Sequence, residues 1–151
     1  LAMSEHKAVI GWKRESADFT YASYNRDHDW AFEGGTRLRA SAAPQFRGNA
    51  AHPDPESALV AALSSCHMLT FLAIAARKGY VVDGYRDEAV GHLEKNANGK
   101  LAVTRVELHP VIAFGGAKVP SAAELAQLHD ASHHECFIAN SVLTQVTVVP
   151  G

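Results

Sequence analysis

The longest apolar run, ESALVAALSSCHMLTFLAIAA at residues 56–76, is hydrophobic on nearly every face when wound as a helix. That is the pattern of a helix enclosed by a core. Pro55 suits its first turn, Arg77 and Lys78 its last, and Gly79 its stop. Within it Leu59, Leu63, Cys66, Thr70 and Ala73 recur at helical spacing, which puts Cys66 on one stripe. The run approaches the roughly 20 residues that a membrane span needs. Ser64, Ser65, His67 and Thr70 dilute it, however, and it reads as the central helix of a core.

The N-terminal third has strand character. AVIGWKRE and DFTYASYN are rich in β-branched and aromatic residues, and FEGGTRLRAS sets a Gly-Gly turn between two short strands. RGNAAHPDPES is a loop of turn formers. Beyond the helix, strands are predicted over roughly Tyr85–Lys95 and Lys100–Phe114, joined by the hairpin turn NANG. The inside–outside alternation slips near Thr104 and Arg105, which predicts a bulge. Ser121 and Glu124 form a capping box that opens a second helix, SAAELAQLHDASHHECF, and VLTQVTVV closes the chain as a strand. The order β-β-β-α-β-β-α-β implies an α+β fold with antiparallel sheets around two core helices.

At 151 residues the chain is expected to be a single domain over residues 1–151, with Leu1 and Ala2 read as a cloning remnant ahead of Met3. A formal charge of −2 gives no reason to expect a nucleic-acid partner. LAMSEH lacks the basic and apolar regions of a signal peptide, and with only two cysteines a reducing, cytoplasmic location is expected. There, two cysteines point to catalysis or a metal rather than to a structural disulfide. Cys66 lies mid-helix, and Cys136 ends the second helix beside His133, His134 and Glu135. A buried free cysteine can also be inert packing. A reactive one needs a cation that favours its thiolate and a carboxylate that holds the cation. Glu56 is the available carboxylate, but ten residues of continuous helix place it roughly 15 Å from Cys66. An arginine must bridge the two, or a second chain must complete the site. Cys66, His67, His133, His134, Glu135 and Cys136 could alternatively ligate zinc, but they lack the usual ligand spacings.

PDPESALVAALSSC resembles the Pro-Glu helix opening of the OsmC/Ohr family (osmotically inducible protein C and organic hydroperoxide resistance protein), where the reactive cysteine follows the glutamate by ten residues. SHHECFIANS resembles that family's second cysteine motif, with Phe137 in place of the usual proline. The resemblance implies a thiol peroxidase that reduces organic hydroperoxides in oxidative stress defence, with catalytic Cys66, Cys136 and Glu56. It aligns YNRDHDWAFEGGTRLRASAAP with the family's arginine loop, so that Arg26 serves the thiolate, with Arg47 as the alternative. It implies an intertwined homodimer with interfacial sites, no metal or organic cofactor, and an external dithiol such as a dihydrolipoyl group as reductant. Met68, Leu69 and Phe71 are substrate-pocket candidates that helical spacing equally explains as core. A non-catalytic dimer that keeps the fold and a quiet cysteine pair is the competing reading.

Overall fold

A computed structural model describes residues 3–149; the expected remnant, Leu1 and Ala2, lies outside the described residues. The fold is α+β, in two compact units, one ending at Ala58 and the other beginning at Leu59.

The first unit holds an antiparallel sheet of β1 (Ala8–Gly11), β2 (His28–Phe32) and β3 (Arg37–Ala40), in that order. The Gly-Gly turn joins β2 to β3, with Gly35 at φ 90°, where a residue without Cβ is favoured. DFTYASYN is not a strand. Thr20 accepts from the backbone N–H groups of Ser23 and Tyr24, which closes a turn. The aromatic residues pack on one another: Phe19 lies 5.1 Å from Tyr24 and 6.0 Å from Trp12, ring centre to ring centre. The strand-like composition here reflects a ring cluster rather than a ladder.

The loop after β3 makes a 3-10 turn at Pro44–Phe46 and leaves through Arg47, the one non-glycine residue with positive φ (65°) among those described. Gly48 follows because a Cβ there would lie 1.5 Å from the Ala42 carbonyl oxygen. Ser41 ties the loop together, donating its N–H to Pro53 and accepting from the Asn49 N–H. The loop delivers Asp54, whose carboxylate accepts from the Ser57 N–H at 2.9 Å and caps α1 (Pro55–Arg77). Gly79 ends that helix in a Schellman motif: its N–H reaches Ala76, and the Tyr80 N–H reaches Ala75.

The second unit carries the rest of α1, two sheets and α2 (Ala122–Glu135). β4 (Val81–Asp87) pairs with β7 (Pro110–Gly115), while β5 (Val90–Lys95), β6 (Leu101–Leu108) and β8 (Gln145–Val148) form the other sheet. Pairing is antiparallel except between β6 and β8. The two long strands expected from the sequence are thus four. The Asp87 carboxylate accepts the His109 N–H at 2.6 Å, and Pro110 has no N–H to offer, so both strands break at the same level. The expected bulge is present: Leu93 pairs with Val103 and His92 with Arg105, leaving Thr104 between them. The Ser121–Glu124 capping box is complete.

α1 is long and apolar enough to cross a membrane by length and composition. Its buried stripe is Leu63, His67, Phe71 and Ala75, with Cys66 beside it and half-buried. Leu63 joins Val106 and Leu108 in one apolar cluster, whereas Phe71 and Ala75 join Tyr80 and Leu128 in another. Between those clusters α1 meets polar groups, and Cys66 lies at that level.

Candidate functional site

In the second unit, Cys66 and Cys136 are brought together as free thiols, Cys66 half-buried and Cys136 1% exposed. Cys136 is the residue that closes α2, its backbone extended. The chain after it folds back: Ala139 N–H points at the Cys136 sulfur at 3.5 Å, and Asn140 binds the Cys136 carbonyl through both backbone and side chain. Burial pushes the Cys136 thiol up; Ala139 N–H opposes this, and the facing Cys66 thiol adds to it. At neutral pH Cys136 therefore stays protonated, while Cys66 is the more accessible sulfur.

In the first unit a cleft of about 380 Å³ is lined by Trp12, Tyr24, Arg26, His28, Phe46 and Glu56, among others. The Arg26 guanidinium donates to the carbonyls of Tyr24 and Tyr21 and lies 3.6 Å over the Tyr24 ring. Arg47 lies 5.6 Å over the Tyr21 ring, so both candidate arginines share one tyrosine. Glu56 turns to Asp54 rather than to an arginine. Burial and the shared hydrogen bond raise Glu56, whereas Asp54, pushed up by burial, is drawn lower overall by Ser57 and Glu56. Asp54 is the ionised helix cap, and Glu56 is the partner that takes a proton first. His28 is held at both ring nitrogens: Nε2 accepts from the Trp30 indole N–H at 3.0 Å, and Nδ1 donates to the Arg26 carbonyl at 2.7 Å.

Several expected participants are elsewhere. Phe71 is fully buried in the core, against Tyr85, Phe114 and His129. Of the apolar neighbours, Met68 is half-buried and Leu69 is exposed. His133, His134 and Glu135 are exposed, while His67 is buried against His129. Among the described residues no group of three or more His, Cys, Asp or Glu side chains is arranged to hold a metal ion. Sequence reasoning passed over Asp54, although Asp-Pro-Glu before an apolar run signals an N-cap. It also missed Tyr21 and Tyr24 as cation partners, for which local spacing carries no signal.

The OsmC family profile, described as OsmC-like protein, matches residues 48–150. The chain belongs to the OsmC family. The matched span contains Glu56, Cys66 and Cys136 but not Arg26 or Arg47. A solved OsmC-like protein of unknown function from Vibrio cholerae is 48% identical over 99% of this chain and 100% of its own, with a TM-score of 0.95. Organic hydroperoxide resistance proteins from Elizabethkingia anophelis and Bacillus subtilis share the fold at 16% identity each. Their TM-scores are 0.74 and 0.71, over 99% of this chain and 99% and 100% of theirs. No curated protein matches the chain significantly.

Proposed function

We propose that this OsmC-like protein is a thiol peroxidase that reduces organic hydroperoxides. The observation that carries the reading is the pairing of one accessible and one buried thiol, Cys66 and Cys136, on facing elements of the second unit. Family membership supports a redox, peroxide-related role, and two solved proteins of this fold are named for organic hydroperoxide resistance.

In the proposed cycle the Cys66 thiolate attacks the distal peroxide oxygen. The O–O bond breaks, the alkoxide takes a proton to become an alcohol, and Cys66 is left as a sulfenic acid. Cys136 then attacks the Cys66 sulfur, hydroxide leaves as water with the Cys136 proton, and a disulfide forms. An external dithiol, of the dihydrolipoyl kind, restores both thiols by exchange. No cofactor enters the cycle. Arg26, with Arg47 as the alternative, favours the thiolate and the departing oxygen through its charge. Glu56, the carboxylate expected to orient the arginine, is hydrogen-bonded to Asp54 in this chain, so the cycle assigns it no contact with Arg26. Met68 and Leu69 are the residues offered for apolar substrate contact. A homodimer in the cytoplasm completes the proposal. The dimer is supported by Leu69, Phe137 and Leu143, large apolar side chains left at 60% exposure or more.

The test is to treat reduced protein with stoichiometric cumene hydroperoxide, then take the intact mass and a peptide map. A loss of two hydrogens with Cys66 linked to Cys136 within one chain supports the cycle; an unchanged mass removes it. On the same protein, Arg26→Gln is expected to slow iodoacetamide alkylation of Cys66 about tenfold at pH 7, because the reacting thiolate loses the cation that favours it. An unchanged rate assigns no such role to Arg26, and Arg47→Gln then becomes the comparison.

A further inference from the structure

α1 and α2 are joined at their polar level by two buried imidazoles. Nε2 of His67 and Nδ1 of His129 lie 3.0 Å apart, one ring donating the proton that the other accepts. The rings are near-parallel, 14° between planes. His67 is 1% exposed and His129 7%. A third group anchors the same place: Asp87, at the end of β4, accepts from the Ser64 hydroxyl on α1 at 2.5 Å. His67 Nδ1 has no hydrogen-bond partner among the described residues. Such a buried pair is a poor way to gain stability, because apolar side chains of similar volume fill the space without desolvating polar atoms. What a directional bond adds is register, the rotation and slide of one helix against the other.

Register is what the thiols require. His67 adjoins Cys66 on α1, and His129 lies two helical turns before Cys136 at the end of α2. A disulfide tolerates only a narrow range of backbone separations, roughly 4.4–6.8 Å between Cα atoms. A small slide of α1 on α2 would carry the sulfurs out of reach. We propose that the His67–His129 hydrogen bond is a positioning device that sets the register of α1 on α2 at which Cys66 and Cys136 form their disulfide. His67 and His129 act through the helices and touch no reacting atom. The inference rests on the thiol pair of the proposed cycle, but not on the oxidant being a peroxide.

The experiment therefore uses oxidised and reduced dithiothreitol instead of peroxide. Two thiols pass two hydrogens to the reagent's disulfide, and the linked fraction is read by intact mass. His129→Leu is expected to lower the equilibrium constant for the Cys66–Cys136 disulfide about tenfold or more, as expected for losing one buried hydrogen bond. Alkylation of Cys66 in the reduced variant stays within about twofold of the parent rate. His129→Asn, whose amide presents both a donor and an acceptor near the position of Nδ1, recovers most of the loss. An unchanged constant in His129→Leu, or no recovery in His129→Asn, overturns the proposal. A second measurement needs no variant. If the pair favours the disulfide, the disulfide must favour the pair by the same factor. The NMR titration midpoints of His67 and His129 should then differ between oxidised and reduced protein; identical midpoints overturn the proposal. A disulfide that forms in the dithiothreitol buffer but not with hydroperoxide would refute the peroxidase reading alone.

Discussion

Cys66→Ser is expected to reduce hydroperoxide consumption on the order of a thousandfold or more, whereas Cys136→Ser is expected to preserve the first turnover and block every later one. The asymmetry follows from burial. A serine hydroxyl at position 66 has no accessible anion near neutral pH and lacks the polarizable sulfur that attacks an O–O bond. Cys136 is enclosed, its thiol pushed up by burial and by the facing Cys66, so it does not compete for peroxide. It becomes a nucleophile only towards an electrophilic sulfur placed beside it. A limiting-peroxide burst followed by intact mass separates the two roles. Cys136→Ser should gain one oxygen at Cys66, trappable by dimedone, while Cys66→Ser should gain none. Dimedone adduct on position 136 of Cys66→Ser, with sustained turnover, would reverse the assignment.

Much of this arrangement was legible in local sequence, because it rests on local chemistry. Pro55 and Gly79 bracket α1, Ser121 and Glu124 open α2, and the slip in alternation at Thr104 is the bulge itself. Each reflects backbone groups satisfied within a few residues. Errors arose where distant residues decide. Phe19, Tyr21 and Tyr24 have strand propensities, but they cluster around Arg26 and one another, and propensity cannot tell a ring cluster from a pleated face. Asp87 breaks two strands by binding the backbone of His109, 22 residues away. A helix apolar on most faces does not declare which face is inward, and the buried stripe runs through Leu63, His67, Phe71 and Ala75. His129, 62 residues further on, supplied the missing partner. The two thiols were visible as motifs, but their meeting is a long-range fact.

Acid should destabilise the protein by about 3 kcal/mol between pH 7 and pH 4 through His67 alone. Burial, followed by the charges of His129 and His133, lowers the His67 pKa from its ordinary 6.5 to about 4, while Asp87 opposes the shift. Above pH 6.5 the ring is neutral in folded and unfolded chains, so this contribution does not vary with pH. Below that, the unfolded chain binds a proton that the folded one refuses, and stability falls until the folded pKa near 4 is reached. His129 is also lowered by burial, against Asp130 and Asp87, and adds a loss of the same sign. The groups facing His67 are His129 and His133 from α2, which oppose its protonation, and Asp87 from β4, which favours it. Urea unfolding of reduced protein at pH 7, 5.5 and 4 measures the slope, with His67→Asn as the control. The variant starts less stable, having lost the bond to His129, but should lose about 3 kcal/mol less on acidification. Parallel stability–pH curves for the two proteins would mean that His67 binds its proton as readily folded as unfolded.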